Sequence, residues 1–400
     1  MKLLKKTILL FIPLSTLISA QELSIPEPSG SYSIGVNYLY FVDSDRPELF
    51  TEDESDFRDI TVKVWYPAED DKSKDYAPYL KNNNLPLHDL RVPEIYNDII
   101  THSKLYLPIL NNQNPYPVLI FNHGWGEHYS QNTILMEELA SHGFIVFSIG
   151  HHYEAKFSFF PGGSFITFDF NNTSERFQNI MREQQNPEAM EIFRKMFDTR
   201  TQEEQESIFT ETGKLLPTLV VDGPRLWAED IIFLINQLEK LNDDNVFFKD
   251  RLDTGKIGVF GMSLGGIATS QACLQDKRIK AGISMDGGLY GDTFNSTITQ
   301  PFMFINSKRY ISYEEIFLKH IKNEGIVITI EDSDHYNFHD ISIIDKSHPW
   351  LGTIDGDLML QLLNKYTLAF YNKFLKGIES EIFDPNYSKY ENINIAIKNL

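Results

Sequence analysis

A single serine, Ser263, lies between glycines in the segment GMSLG at residues 261–265. A glycine two positions before and another two positions after a serine let a strand and a helix approach closely, with the hydroxyl exposed at a strained turn. The flanking residues fit this arrangement, because the apolar residues Ile257, Val259 and Phe260 precede the motif and a helical pattern follows it. Ser263 is therefore a candidate nucleophile; the alternative is a small residue in a plain turn.

A serine hydroxyl becomes nucleophilic when a histidine removes its proton and a carboxylate orients that histidine. With a serine at this kind of turn, the acid follows in the chain and the base follows the acid. Asp286 ends the apolar segment AGISMDGG, and His335 follows the segment GIVITIEDSD. Both would lie where parallel strands end, at the same sheet edge as Ser263. We predict Asp286 as the acid and His335 as the base.

Other residues remain open for both roles. Asp292 lies further along the loop after Asp286, and Asp332 and Asp334 are close to His335 in sequence. The other candidate bases are His320, His339 and His348. Asp286 is preferred because it lies at the end of a predicted strand, and His335 because it directly follows a predicted strand and a short loop.

The negative oxygen formed when an ester or amide carbonyl is attacked needs backbone N–H donors. The amide of Leu264, just after the nucleophile, is one candidate. The second is the amide of Trp125 in the segment NHGWG, residues 122–126, where glycines allow the backbone to turn inward after an apolar run. The alternative for this segment is a simple tight turn.

Metal and cofactor chemistry is not indicated. None of the further histidines shows a helical His-x-x-x-His pair with an acidic partner or a companion cysteine, which are common metal-binding patterns. These histidines are His123, His128, His142, His151 and His152. We expect no metal site and no cofactor.

The elements that would position these residues follow an α/β pattern. Alternating segments at 32–42 and 59–66 predict an antiparallel opening ribbon. Solid apolar runs that end near the candidate residues predict buried parallel strands, with helices joining or flanking them. The runs are 116–124, 143–152, 256–260, 279–288, 300–308 and 325–335, and the helices are 130–143, 224–242 and 357–375, together with the helix after Ser263. A mostly parallel sheet flanked by helices, in a single domain at 21–400, is therefore predicted.

One segment, about 155–222, interrupts that pattern and is predicted to be an inserted lid. Its first part alternates phenylalanines around a Pro-Gly-Gly turn, and 174–213 is charged and helical in pattern. The phenylalanines could line a pocket or contact lipid, but packing against the body of the protein is favoured. They are Phe157, Phe159, Phe160, Phe165, Phe168 and Phe170.

The first twenty residues read as a secretory signal peptide. Lysines precede an apolar run of about a dozen residues, and Ala20 offers a small residue for cleavage. The run is too short to span a bilayer, which takes roughly 20 residues. We therefore expect residues 1–20 to be removed and the protein to be exported to the periplasm or the medium.

Charge and cysteine content limit the function further. The chain carries a formal charge of −20, and loss of Lys2, Lys5 and Lys6 with the signal peptide would leave 33 basic and 56 acidic residues, a charge of −23. Such a surface repels phosphate backbones, so nucleic acid is not an expected partner. The single cysteine, Cys273, excludes an internal disulfide.

Five segments in order resemble blocks of the platelet-activating-factor acetylhydrolase family. They are FNHGWGEHYSQNTILMEELASHGFIVFSIGHH, GVFGMSLGG, RIKAGISMDGGLYG, QPFMFINS and DSDHYNFHD. The correspondence runs over roughly 55–375 and includes the His-x-x-Phe-x-Asp pattern of His335, Phe338 and Asp340.

That resemblance implies an α/β-hydrolase fold and calcium-independent release of short or oxidised acyl groups from glycerophospholipids. It assigns Ser263 as nucleophile, Asp286 as acid and His335 as base, with Trp125 and Leu264 as oxyanion donors. This chain has Gly-Met-Ser where the family often has Gly-His-Ser, and its segment 155–222 matches only loosely.

The sequence therefore predicts an exported serine esterase that takes a small ester or a phospholipid, with weak lipid-surface contact as a possible further interaction. Three alternatives remain open. One is a broader carboxylesterase, including polyester- or dienelactone-hydrolase-like enzymes, and another is a serine peptidase. The third is a binding protein on an inactive hydrolase scaffold, which the complete set of Ser263, Asp286 and His335 disfavours.

Overall fold

The computed structural model describes residues 25–80, 92, 94–160, 162–168, 171–195, 201–383 and 393–399. The predicted signal peptide, residues 1–20, and Phe170 lie outside the described residues.

Most of the strands belong to one large sheet. The strands are β1 Ser33–Pro47, β2 Phe57–Ala68, β3 Tyr76–Pro78, β4 Ile100–Leu105, β5 Tyr116–Asn122, β6 Ile145–His151, β7 Phe157–Phe159, β8 Phe165–Thr167, β9 Leu252–Met262, β10 Ile279–Met285, β11 Phe302–Ser307, β12 Gly325–Ile330 and β13 Ile393–Lys398. The described part of the sheet has 11 strands in the order β13-β12-β11-β10-β9-β5-β6-β2-β1-β4-β3. Its centre, from β12 to β6, is parallel, whereas β2 and β13 pair antiparallel at either side of that centre.

Helices cover both faces of the sheet. They are α1 Thr133–Ser141, α2 Glu175–Gln184, α3 Pro187–Lys195, α4 Gln202–Leu215, α5 Gly223–Asp244, α6 Leu264–Gln275, α7 Glu314–Lys319, α8 Ile341–Ile344 and α9 Gly356–Tyr371. Side chains of a strand alternate between the two faces. In β5, Val118 and Ile120 join the core formed with α5 and α6, whereas Leu119 and Phe121 join the core formed with α1 and α9. This two-sided burial explains why the central strands are solid apolar runs.

The predicted fold class is confirmed: the chain is an α/β protein with a mostly parallel sheet between helical layers. The opening antiparallel ribbon corresponds to β1 and β2, which pair from Ser33 with Ala68 to Pro47 with Phe57. The structure differs in the edge strands β3 and β13 and in β4 next to β3, which the sequence pattern did not indicate. Turns and irregular backbone connect β10 to β11, whereas a helix between these strands was one of the expected connections.

The segment predicted as a lid contains a two-stranded ribbon of β7 and β8 followed by α2, α3 and α4. Phe157 and Phe159 are buried against the body, whereas Phe165 is 37% exposed. Phe168 packs edge to face on Trp125 at a ring separation of 5.1 Å. This segment therefore contacts the loop that carries Trp125; that it acts as a lid stays a prediction.

No helix within the described ranges is both long and apolar enough to cross a membrane.

Candidate active site

Ser263 lies at the tip of the turn between β9 and α6, and glycines make that turn possible. A Cβ on Gly261 would lie 2.3 Å from the carbonyl carbon of Gly265. A Cβ on Gly265 would lie 2.1 Å from the carbonyl oxygen of Asn122, at the end of β5. Any side chain at either glycine would therefore force the strands and the helix apart.

The backbone of Ser263 adopts a conformation that is rare for a residue with a side chain. Its φ is 56° and its ψ is −120°, which places it in a strained region for a residue other than glycine. The amide of Ser263 donates to the carbonyl of Met285 at 2.8 Å, so the end of β10 holds the turn. The residue predicted as the nucleophile therefore has a strained backbone conformation.

The structure brings Ser263, His335 and Asp286 together in a chain of hydrogen bonds. The Nε2 atom of His335 lies 3.0 Å from the Oγ atom of Ser263. On the other side of the ring, Nδ1 of His335 lies 2.5 Å from Oδ2 of Asp286. Asp286 follows β10, and His335 begins a short 3-10 helix, His335–Phe338, after β12. In this arrangement His335 could take a proton from Ser263 while Asp286 orients the ring.

Asp286 is held as a buried carboxylate. Its Oδ1 accepts a hydrogen bond from the amide of Ser307 at 2.8 Å, and the residue is 1% exposed. Burial by itself raises the pKa of Asp286, but the positive charge of Arg309 and the hydrogen bonds of His335 and Ser307 outweigh it and lower the pKa to about 2. The carboxylate therefore stays ionised across the physiological pH range and can hold the His335 ring in one orientation.

The pKa of His335 is lowered, which favours the neutral form of its imidazole ring. Burial and the positive charge of Arg309 lower the pKa of His335 below its ordinary value of 6.5, although the hydrogen bond and charge of Asp286 oppose the shift. A histidine can accept the serine proton only while it is neutral.

The first prediction concerns this shift. We expect kcat/KM to be flat near neutral pH and to fall about tenfold per pH unit below an apparent pKa under 6.5. Removing the guanidinium in Arg309→Gln is expected to raise that pKa, because a positive charge next to the imidazole is lost. The measurement is a pH profile of kcat/KM with an uncharged ester, and Lys214→Gln serves as a distant control. A wild-type pKa at or above 6.5, or no shift in Arg309→Gln, would contradict the assignment of His335.

The two amides predicted as oxyanion donors belong to the turn after β9 and to the loop after β5. Leu264 is the first residue of α6, where the backbone N–H has no partner inside the helix. Trp125 follows Gly124, and a Cβ on Gly124 would lie 3.5 Å from the Cβ of Ser263. Neither amide donates to an acceptor within the described ranges. That these two amides stabilise an oxyanion stays a prediction.

The sequence analysis did not identify the side chains whose hydrogen bonds connect the loops of the site. The Oε1 atom of Gln131 accepts from the amide of Gly124 at 2.8 Å, and the carbonyl of Gln131 accepts from the amide of Asp340 at 3.2 Å. The Oδ2 atom of Asp340 accepts from the hydroxyl of Tyr79 at 2.8 Å and from the amide of Ile134 at 3.1 Å. One network thus links the Trp125 loop to the loop that begins with His335. The His-x-x-Phe-x-Asp pattern was the available signal for Asp340.

The alternative acids and bases have other partners. Asp292 pairs with Arg225 at 2.7 Å, and Asp334 pairs with Lys308 at 2.7 Å. The carbonyl of Asp332 accepts from Ile354. Among the alternative bases, His320 lies 3.1 Å from the carbonyl of Ser296. His339 and His348 both stack on Tyr336, at ring separations of 4.8 and 5.4 Å.

The other histidines serve packing and internal hydrogen bonds. His151 lies between Asp230 and Asn122, at 2.8 and 3.1 Å, and stacks on Trp227 at 3.9 Å. Five more described histidines contact a backbone carbonyl, a carboxylate or an aromatic ring: His102 with Ile25, His123 with Gly124, His142 with Glu138, His152 with Asp59 and His128 with Phe157. No group of three potential metal ligands occurs in the part of the chain that the structure describes.

A cavity of about 480 Å³ lies beside the loops that carry Trp125 and Tyr336. It is lined by Trp125 of the loop after β5, by Tyr336 next to His335, and by Lys156, Phe168 and Met181 of the inserted segment. Cavities of this size commonly bind small molecules.

A buried parallel sheet with a strained serine turn and an acid and a base after later strands defines the α/β-hydrolase fold. A ferulic acid esterase from Streptomyces cinnamoneus has a similar structure, with a TM-score of 0.70 over 94% of this chain and 99% of that chain, at 20% sequence identity. The chain belongs to the platelet-activating factor acetylhydrolase, isoform II, family, whose model matches residues 17–393.

Curated relatives agree with this family. The chain is 27% identical over 380 residues to a platelet-activating factor acetylhydrolase of Bos taurus. The alignment covers 89% of this chain and 78% of the relative. A protein of the same name from Canis lupus familiaris is 26% identical over 385 residues, with 89% and 78% coverage. A probable 1-alkyl-2-acetylglycerophosphocholine esterase of Arthroderma benhamiae is 36% identical over 69 residues, 17% of this chain and 15% of the relative. The chain is an ester hydrolase.

Proposed function

We propose that Ser263, His335 and Asp286 form the catalytic triad of this ester hydrolase. His335 takes the hydroxyl proton of Ser263 through Nε2 as Oγ attacks the ester carbonyl, and it then gives the proton to the leaving alcohol. The resulting acyl-enzyme is hydrolysed when His335 takes a proton from water and returns it to Ser263. The observation that supports this most strongly is the pair of contacts of His335, 3.0 Å to Ser263 and 2.5 Å to Asp286.

Within this proposal the amides of Trp125 and Leu264 stabilise the negative oxygen of the tetrahedral intermediate. Backbone N–H groups fixed before the reaction need no reorganisation when charge develops. Gln131 supports the Trp125 loop by accepting from Gly124, so the donor on that side is held by a buried side chain.

The proposed substrates are glycerophospholipids like platelet-activating factor, cleaved at a short or oxidised sn-2 acyl group. The names of the bovine and canine relatives support this choice, since they align over most of both chains. We also propose that residues 1–20 are a signal peptide, that the protein is exported, and that about 155–222 forms a lid on a single domain.

The second prediction tests the substrate. We expect a phospholipid with an sn-2 acetyl group to be hydrolysed much faster than the same lipid with a long sn-2 chain, with Ser263→Ala as the blank. The measurement is release of the free acid under equal detergent conditions. If p-nitrophenyl acetate is cleaved and neither lipid is, the phospholipid proposal fails and a broader carboxylesterase takes its place.

A further inference from the structure

Asn122 is the last residue of β5, and the pairing of this strand with both of its neighbours ends there. The pairing with β9 ends at Asn122 with Gly261, and the pairing with β6 ends at Asn122 with Ile149. Beyond Asn122 the chain leaves the sheet as the loop that carries Trp125. The position of that loop relative to the Ser263 turn therefore depends on the contacts that hold Asn122.

The main chain and the side chain of Asn122 both contact the segment around Ser263. Nδ2 of Asn122 donates to the carbonyl of Phe260 at 3.3 Å. The carbonyl oxygen of Asn122 lies against the glycines of the turn, since a Cβ on Gly261 or Gly265 would lie 2.9 or 2.1 Å from it. Asn122 is fully buried. A shift of its side chain would therefore move the residues packed against it.

The ring of His151, the last residue of β6, orients the side chain of Asn122. Nε2 of His151 lies 3.1 Å from Oδ1 of Asn122, and Nδ1 lies 2.8 Å from Oδ2 of Asp230. The ring also stacks on Trp227 of α5 at a ring separation of 3.9 Å. Because both ring nitrogens have partners and one face is covered, the ring is held in one orientation.

Asp230 of α5 is a fixed partner for that ring. Its Oδ1 accepts from Nε of Arg58 at 3.1 Å and from Nη2 of Arg46 at 2.8 Å, and its Oδ2 accepts from Nη2 of Arg58 at 2.7 Å. Burial by itself raises the pKa of Asp230, but the charge of Arg58, the hydrogen bond of His151 and the charge of Arg46 hold the pKa well below its ordinary value. The carboxylate therefore stays ionised and in place.

We propose that Asn122, oriented by His151 and Asp230, is a positioning residue that sets the distance between Oγ of Ser263 and the amide of Trp125. Oγ bonds to the attacked carbonyl carbon while the amide binds its oxygen, so this distance matters most when the oxygen becomes negative. Asn122 acts through the Ser263 turn and through the loop after β5, without taking part in proton transfer. The proposal rests on the proposed triad and oxyanion amides and adds a residue outside them.

An alkyl trifluoromethyl ketone is a direct probe of this distance. Oγ of Ser263 bonds to the ketone carbon, the carbonyl π electrons move to oxygen, and the hydroxyl proton passes to Nε2 of His335. The resulting oxyanion lies where the amides of Trp125 and Leu264 are proposed to bind it. Because the adduct resembles the tetrahedral intermediate, its inhibition constant reports the binding of the transition state.

Asn122→Ala is expected to lower kcat/KM for p-nitrophenyl acetate and to raise the inhibition constant of the ketone, each by roughly 100-fold. The alanine loses the contacts with Phe260 and His151, so the turn and the loop no longer keep their separation. The measurements are steady-state kinetics with the ester and inhibition by the ketone, made on the same preparation of folded protein.

Two replacements of His151 separate positioning from stability. Glutamine places an amide group close to the position of Nε2 and can keep the contact with Asn122, whereas asparagine places one close to Nδ1 and can keep only the contact with Asp230. His151→Gln should therefore stay within a few-fold of the wild type in both constants, and His151→Asn should approach Asn122→Ala. Both variants lose the stack on Trp227, so their free energies of unfolding should fall alike.

Asn242→Ala is the matched control for Asn122→Ala. Oδ1 of Asn242 accepts from the amide of Leu252 at 2.9 Å, at the end of β9 opposite to the Ser263 turn. This variant also loses a hydrogen bond to β9, but it should keep kcat/KM and the inhibition constant of the wild type.

Three results would overturn the positioning role and leave the proposed function intact. They are an unchanged inhibition constant in Asn122→Ala, equal losses in His151→Gln and His151→Asn, and a loss in Asn242→Ala as large as that in Asn122→Ala. If Asn122→Ala does not fold, the comparison of the two His151 variants decides. Failure of the proposed function gives a different result: Ser263→Ala hydrolyses the ester like the wild type, or the ketone does not inhibit the wild type.

Discussion

Replacing Ser263 by alanine is expected to lower kcat for ester hydrolysis on the order of 10⁶-fold. Without its Oγ atom the protein cannot form an acyl-enzyme, and His335 has no hydroxyl proton to take. The small remaining rate would come from substrate binding and the oxyanion amides. The measurement is steady-state turnover of p-nitrophenyl acetate by the folded variant.

Ser270→Ala is the matched control for this loss. Ser270 lies in the same helix, α6, and its hydroxyl donates to the carbonyl of Gly266 at 3.2 Å. Turnover by Ser270→Ala should stay within a few-fold of the wild type. Equal losses in both variants would mean that damage to α6, and not removal of a nucleophile, explains the effect.

The second large effect is expected for Asp286→Asn, with a loss of roughly 10⁴-fold in kcat. The amide has nearly the same size, so the amide of Ser307 keeps an acceptor. It carries no charge, however, and cannot stabilise the imidazolium that forms when His335 takes the serine proton. It can also donate to Nδ1 of His335 and favour the wrong tautomer of the ring.

Asp292→Asn separates the two candidate acids. Asp292 pairs with Arg225 in the loop after β10, and its side chain is 41% exposed. Near wild-type turnover is expected from this variant, measured beside Asp286→Asn with the same ester. The reverse outcome, a large loss in Asp292→Asn and little change in Asp286→Asn, would transfer the role of acid to Asp292.

The central part of the fold could be predicted because its signals are local. A buried parallel strand such as β5 or β9 is a solid apolar run, and the glycines around Ser263 mark a turn that few other structures need. The positions of Asp286 and His335 followed from where predicted strands end, since parallel strands of one sheet end at one edge. No knowledge of distant contacts was required for these residues.

The support of the site and the edges of the sheet could not be predicted in the same way. Tyr79 and Asp340 are far apart in the chain, and nothing near either residue indicates that they share a hydrogen bond. Strand β13 pairs with β12 from Gly325 with Lys398 to Ile330 with Ile393. The sequence of β13 is short, and its extended conformation is explained by pairing with the otherwise unpaired edge of β12. Such contacts depend on the assembled sheet.

The cavity shows a similar limit. Nothing in the sequence indicates that Glu127 and Lys156 form an ion pair or that Trp350 lines the same cavity. Their proximity arises because the loop after β5, the inserted segment and the loop after β12 meet at one edge of the sheet. Charge pairing between separate loops has no periodicity that a sequence could display.

Labelling with a fluorophosphonate tests the central claim most directly, because this reagent forms a stable bond with an activated serine oxygen. Trypsin would release Ser263 in the peptide 257–277, which also contains Ser270. We predict one phosphonyl group per chain, located on Ser263 by fragment masses, and loss of esterase activity in step with labelling. Labelling should be absent in Ser263→Ala. A label on Ser270 or on another residue, or full activity after Ser263 is labelled, would contradict the assignment of Ser263 as the nucleophile.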